Sequence, residues 1–244
     1  MIVETKVHTC HKCHSKELVK NGRNACGNQQ YHCKTCGAYG VLEPQVCYTE
    51  EAKDLIIKAY QERSSMRGIE RSHGICRQTL RAWLKEKAEQ LPPLETTLAP
   101  VDPAQTPVLE LDELWSFVFI KGNKVWVWIA LSRETREVIA YACGDRSKDT
   151  CRILWDRIPS AYKKALVFTD YWEAYQAVIP DEQHHPVGKE TGETAHVERW
   201  NNTLRQHLAR FVRKTLSFSK CIIMHELCLK LFLHRYNTDL LPAS

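Results

Sequence analysis

Apolar residues recur at helical spacing between Thr49 and Gln90 and at strand spacing from Val108 onward, and a proline-rich run parts the two patterns. Thr49-Glu50-Glu51 opens a helix that carries Ala52, Leu55, Ile56 and Ala59 at helical intervals. A second short helix follows Ser64 or Ser65 and stops near Gly74, and a third covers residues 77–90, ahead of Pro92-Pro93. On this third helix Leu80, Trp83, Leu84 and Leu91 form the back, while Arg77, Gln78, Arg81 and Lys85 fall within about a quarter turn at the front. Three short helices with a glycine-containing turn before the last make the helix-turn-helix pattern. Its Arg/Gln/Arg/Lys front suits a major groove, since Arg pairs bidentately with guanine and Gln with adenine.

Residues 91–107 hold five prolines among polar residues and read as an extended linker. Beyond them, residues 108–120 form a strand, Gly122-Asn123 a turn, residues 124–131 a central strand apolar on both faces, and residues 136–142 a third strand. Ser147 caps a helix reaching about Ile158, and residues 165–170 are a short buried strand ending in an acid. Two helices close the chain, over residues 194–216 and about 221–236. This order makes the second half a mixed α/β domain. The expected organisation is a small N-terminal domain over 1–44, a helix-turn-helix domain over 45–91, a linker over 92–107 and the α/β domain over 108–244.

Composition narrows the class. With 43% hydrophobic and 26% charged residues the chain is ordinary globular protein, neither disordered nor fibrous. Its longest uncharged apolar run, residues 125–131, falls far short of the ~20 residues that span a bilayer. The first ten residues include Glu4, Lys6 and His8 and no apolar signal segment, so the expected location is cytoplasmic. The net charge of +5 is mild but unevenly spread. Residues 63–85 hold six Lys/Arg against Glu70 alone, and residues 199–220 hold six with no acid. Two such stretches look like two surfaces for a polyanion.

The eleven cysteines are an odd count in a chain without an export signal, which argues against a disulfide framework. Cys10-x-x-Cys13 and Cys33-x-x-Cys36 are two knuckles that together close one tetrahedral Zn²⁺ site. A closed Cys₄ site is structural, and the residues between, with Gly22, Gly27 and Tyr31-His32, suit short strands: a zinc ribbon. A mixed site using His8, His11, His14 or Cys26 is the competing arrangement. A redox pair would need a βαβ setting that is absent. Cys47, Cys76, Cys143, Cys151, Cys221 and Cys228 are expected as small core residues.

Asp112 lies inside an apolar strand, Asp170 ends another, and Glu198 flanks the apolar stripe Val197, Trp200, Leu204, Leu208 and Phe211. Glu110 or Glu113 can take the place of Asp112 in this argument, and Glu190 or Glu193 that of Glu198. Arg205 sits two turns after Glu198 on nearly the same line, and Arg210, Arg213 and Lys214 project away, free to hold phosphates. Three converging carboxylates are what hard divalent cations require, and two such ions can clamp an in-line phosphoryl displacement. No Walker-type glycine loop is present, which argues against an NTPase.

Residues 197–220, beginning Val197-Glu-Arg-Trp-Asn-Asn-Thr-Leu-Arg205, closely resemble the C-terminal signature of transposases of the insertion-sequence-one (IS-one) family. Leu109-Glu-Leu-Asp-Glu-Leu-Trp115 and Phe168-Thr-Asp-Tyr-Trp-Glu-Ala-Tyr175 look like that family's segments carrying the first two acids. The resemblance implies an RNase H-like catalytic domain with a DDE triad of Asp112, Asp170 and Glu198 binding Mg²⁺ or Mn²⁺, and Arg205 as the triad's accompanying basic residue. It implies an enzyme that binds the terminal inverted repeats of an insertion sequence, nicks its ends and joins the freed 3′-hydroxyls to target DNA. The helix-turn-helix would read the repeats, and Arg205, Arg210, Arg213 and Lys214 would hold backbone phosphates. Two ends cut together imply at least a dimer on double-stranded DNA, working at the nucleoid, with the last helix a candidate for the dimer surface. The alternative is a zinc-ribbon/helix-turn-helix DNA-binding regulator whose second half is inactive.

Overall fold

A computed structural model describes residue 2 and residues 6–23, 27–42 and 48–240. The chain divides into two compact units, Met1–Ala52 and Lys53–Ser244. The boundary expected between 44 and 45 lies outside the described residues, as do Cys26 and Cys47.

The first unit contains a three-stranded antiparallel sheet, β1 (Leu18–Arg23), β2 (Gln29–Cys33) and β3 (Tyr39–Gly40), in that order. Cys33 ends β2 opposite Leu18, so the sheet itself delivers the second cysteine pair to the first.

The second unit starts within α1 (Glu50–Tyr60), and α2 (Met66–His73) and α3 (Arg77–Gln90) follow. Ser65 caps α2 by accepting from the Gly68 amide at 2.9 Å, and Gly74 ends it in the left-handed conformation at φ 70°. Leu80, Leu84 and Ala88 bury one side of α3. That side meets α7 (Ile222–Leu240), whose Lys230 donates to the Ala88 and Leu91 carbonyls at 2.9 and 3.2 Å.

The α/β part is a five-stranded sheet in the order β6 (Val138–Gly144), β5 (Lys124–Ser132), β4 (Val108–Phe117), β7 (Leu166–Thr169), β8 (His184–Pro186). β4, β5 and β6 form an antiparallel meander. The chain then crosses through α4 (Lys148–Arg157) to β7, which runs parallel to β4, as β8 does to β7. Alternation along β4 builds a core on each face. Leu109 and Leu111 join Trp128, Leu154 and Tyr175 under α4 and α5 (Glu173–Gln176), while Leu114 joins Val127, Trp200, Leu204 and Phe232 under α6 (Ala195–His207) and α7. Among the described residues no helix is long and apolar enough to cross a membrane.

Three expectations need correction. The proline-rich run is fastened rather than free: it contains a 3-10 turn, Leu94–Thr97, and packs Leu98 and Val101 on one core and Leu94 on the other. The Ala99 amide donates to Glu137 and Asn237 donates to Thr97. Prolines stiffen a segment without keeping it in solvent, and its scattered apolar residues decide where it lies. The helix expected over 194–216 ends at His207; Leu208 leaves helical geometry (φ −109°, ψ 102°) with neither Gly nor Pro nearby, and a 3-10 turn, Ala209–Phe211, buries Phe211. Of the remaining cysteines among the described residues, only Cys151 and Cys228 are buried; Cys76 is exposed and caps α3 through its sulfur, and Cys143 and Cys221 are half-buried.

Candidate active site

The register of β4 and β7 sets the site. Their last paired residues are Glu110 and Phe168, so Asp112 and Asp170 each lie two residues further along neighbouring parallel strands. Neighbouring strands run about 4.8 Å apart, which puts Asp112, midway along β4, beside Asp170, the residue just past the end of β7. Glu198 comes from the first turn of α6, laid across the same face of β4 that carries Asp112.

Glu110 explains why α6 lies there. It is fully buried on β4, and its carboxylate accepts from the His196 and Val197 amides at 3.0 and 3.1 Å. It therefore caps a helix whose own Thr194 makes no side-chain cap, and it offsets the positive end of the helix. Arg133 donates to Glu110 at 2.8 Å and pairs with Glu193 at 2.7 Å. Glu110 and Glu193 are thus spent on holding α6.

The charges of Asp170 and Glu198 are both felt at Asp112. Burial first, then the charge of Glu113, then those of Asp170 and Glu198 push the Asp112 carboxyl up to about 7. Asn201, one turn after Glu198, donates to Asp112 at 2.7 Å, and its own Oδ1 is buried without a partner. Sequence pattern marks Asn201 only as a neighbour of the triad; its place one turn after Glu198 is the available signal. Thr194 donates to Glu198 at 3.5 Å.

The opposite face of β4 carries a second network that sequence pattern does not single out. Glu113 receives hydrogen bonds from Tyr175 at 2.8 Å and from Arg146, whose guanidinium also lies 3.9 Å from Asp170. That guanidinium lies over both the Trp172 and Trp126 rings, 4.0 and 4.9 Å from their centroids. Burial raises the Glu113 carboxyl, while Tyr175 and Arg146 oppose it.

The expected basic residues separate. Arg205 is half-buried beside the acids: it donates to the Trp115 carbonyl at 3.2 Å, and burial, then Arg213, lower its pKa against the pull of Asp112. Arg213 and Lys214 are exposed. Arg210 is not free to hold phosphate. It is 7% exposed, bonds Tyr60 through Nε at 3.1 Å, and donates from Nη1 to Ser219 Oγ and the Met224 carbonyl at 3.1 and 3.0 Å. On α3, Arg77, Gln78, Arg81 and Lys85 are exposed along one front; Arg77 pairs with Glu70 and Lys85 with Glu89.

In the first unit the sulfurs of Cys10, Cys13, Cys33 and Cys36 all lie within 4.8 Å of one another. Tetrahedral Zn²⁺ with bonds near 2.3 Å asks for sulfurs ~3.8 Å apart, and Cys10–Cys36 and Cys13–Cys33 stand at 3.6 Å. His8, His11 and His14 are outside this cluster. Among the described residues no other group of three or more such side chains gathers its donor atoms so tightly. Asp112, Asp170 and Glu198 are not among such a tight group.

Residues 107–238, from the start of β4 into α7, match a family model described as IS1 transposase. The chain is 34% identical over 131 residues to the insertion element iso-IS1n protein InsB of Shigella dysenteriae, covering 53% of this chain and 95% of that protein. It is 37% identical over 117 residues to the insertion element IS1 protein InsB of Shigella flexneri, covering 48% of this chain and 86% of that one. The insertion element IS1 4 protein InsB of Escherichia coli K12 is 35% identical over 117 residues, with coverages of 48% and 68%.

Proposed function

The chain belongs to the IS1 transposase family, and on that premise we propose that it binds the ends of an insertion element and cuts and rejoins DNA strands at Asp112, Asp170 and Glu198. The observation that carries this reading is the convergence of the middle of β4, the end of β7 and the first turn of α6, with the charges of Asp170 and Glu198 both felt at Asp112. The meander of three strands followed by a parallel strand through a helical crossover supports an RNase H-like catalytic domain of the DDE type.

The donor set fits hard divalent cations: three carboxylates, one of them with its charged form disfavoured until a cation arrives, and a partnerless amide oxygen on Asn201. Asp112, Asp170 and Glu198 would hold Mg²⁺ or Mn²⁺, which would supply Lewis-acid activation of a water or 3′-hydroxyl and stabilise charge on the departing oxygen. The protein's own part is positional. Asn201 fixes Asp112, Arg146 stands beside Asp170, and Arg205 places positive charge next to the acids. Arg77, Gln78, Arg81 and Lys85 on the helix-turn-helix read the terminal inverted repeats, while Arg213 and Lys214 hold backbone phosphates. The four cysteines hold a structural Zn²⁺ in a zinc ribbon. Working on two ends at once calls for a dimer or larger assembly on double-stranded DNA at the nucleoid.

The test is strand cleavage and strand transfer on DNA carrying the element's own ends, with Mg²⁺ or Mn²⁺. Wild-type protein is expected to cut and join. Glu198→Gln and Asp170→Asn are expected to bind the same DNA and do neither. Cutting that survives both substitutions would place the chemistry elsewhere.

A further inference from the structure

The two basic stretches of the sequence, far apart along the chain, face each other across one cleft of about 780 Å³ in the second unit. One wall is α2 with the start of α3, presenting Arg67, Arg71, Arg77 and Arg81; the other is the segment joining α6 to α7, presenting Lys220. All five cations are exposed. The one acid in the lining, Glu70, is paired with Arg77 at 3.1 Å, so Arg67, Arg71, Arg81 and Lys220 have no carboxylate partner among the described residues.

The walls are held at a set spacing. Buried Arg210 spans the floor, bonding Tyr60 of α1 on one side and Ser219 and the Met224 carbonyl on the other. The Arg63 amide donates to the His207 carbonyl at 2.6 Å, and Glu62 pairs with Arg235 of α7 at 2.8 Å. The helix-turn-helix is thus built into the unit that carries the acids. A cleft of this size admits a phosphodiester ridge, not a duplex whose major groove alone is about 12 Å wide.

We propose that this cleft is a phosphate-binding channel in which Arg67 and Arg71 on one wall and Lys220 on the other grip the backbone of the same DNA duplex that α3 reads. The proposal rests on the transposase reading and adds to it that one chain recognises and approaches the cut on a single duplex. The channel begins at Ala209, eleven residues after Glu198. The helical part of that path, from Glu198 to His207, spans roughly 14 Å at 1.5 Å per residue, the length of about four base pairs.

Two natural thiols report on the channel, Cys76 from one wall and Cys221 from the other. Wild-type full-length protein would be alkylated with iodoacetamide, titrated with a duplex cut from the DNA bordering its own coding sequence, and read by peptide mass spectrometry. Both thiols are expected to become protected at the same half-saturating DNA concentration. Arg71→Glu and Lys220→Glu, on opposite walls, are each expected to weaken binding of that duplex about tenfold and to lower the slope of log affinity against log salt by about one. Arg71→Lys and Lys220→Arg should bind as wild type. Protection of Cys76 alone, with Lys220→Glu and Arg71→Glu binding normally, would overturn the channel and leave α3 as the reader. Binding unaffected by Arg81→Glu would overturn α3 as the reader of the gripped duplex, and no binding in wild type would instead overturn the DNA-binding reading itself.

Discussion

Replacing Asp112 by asparagine is expected to stabilise the magnesium-free protein above neutral pH while abolishing its chemistry. Asp112 lies among Glu113, Asp170 and Glu198, largely out of water, and its carboxyl is pushed up to about 7 from an ordinary value of 3.8. At 1.36 kcal/mol per pH unit, the gap of about 3 units amounts to a ceiling of about 4 kcal/mol. The sign follows from where the proton resides. Below about pH 4 both folded and unfolded chains hold it and Asp112 costs nothing. Between about 4 and 7 the unfolded chain ionises first, so stability falls by up to about 1.4 kcal/mol per unit; above 7 the full loss remains. The amide of the Asp112→Asn variant keeps an acceptor for Asn201 and carries no charge, so it escapes this loss. Urea unfolding of wild type and Asp112→Asn from about pH 5 to about pH 9 measures the difference, in which titrations common to both cancel. The gap in stability should widen toward pH 7 in favour of the variant and then level off. Adding Mg²⁺ at pH 8 should raise the wild-type midpoint and leave the variant's unchanged. A difference that stays flat across the whole range would refute the crowded-carboxylate site.

Arg210→Met should cost about 3 kcal/mol or more in unfolding free energy, because Tyr60, Ser219 and the Met224 carbonyl lose their buried donor; a change below about 1 kcal/mol would show that they find other partners. Burial, then Arg210, pushes His225 down to about 3 from 6.5, so its share of stability is present above 6.5 and falls by about 1.4 kcal/mol per unit as pH drops toward 3. His225→Gln should flatten that acid limb in a urea titration. Arg146→Ala frees Glu113 and Asp170, and strand cleavage should fall roughly tenfold to a hundredfold with duplex binding intact, partly restored in Arg146→Lys. Zinc analysis of Cys33→Ser should find the metal lost, together with the circular-dichroism signal of the β1–β3 sheet.

Features that depend on near neighbours in the chain are legible in the order of residues alone. The two Cys-x-x-Cys knuckles form the four-sulfur cluster because each pair needs only a tight turn. The starts of α2, α3 and α4 follow from Ser65, the break at Gly74 and Ser147, whose caps act within four residues. Apolar runs locate β4 and β5, and an acid within one apolar strand and another at the end of a short one point to Asp112 and Asp170. Features that turn on distant partners emerge only when the chain has folded. Glu110 and Asp112 share a face of β4, and only the arrival of the α6 N-terminus makes the first a helix cap and leaves the second open. Arg210 reads as a surface cation at helical spacing, yet α6 has ended at His207 and a buried tyrosine 150 residues away holds Arg210 inside. Likewise the two basic stretches become opposite walls of one cleft only after α3 docks on α7. Periodicity and capping are local energies written in the order of residues; the destination of a charged side chain depends on which acceptors the folded chain brings within about 3 Å of it.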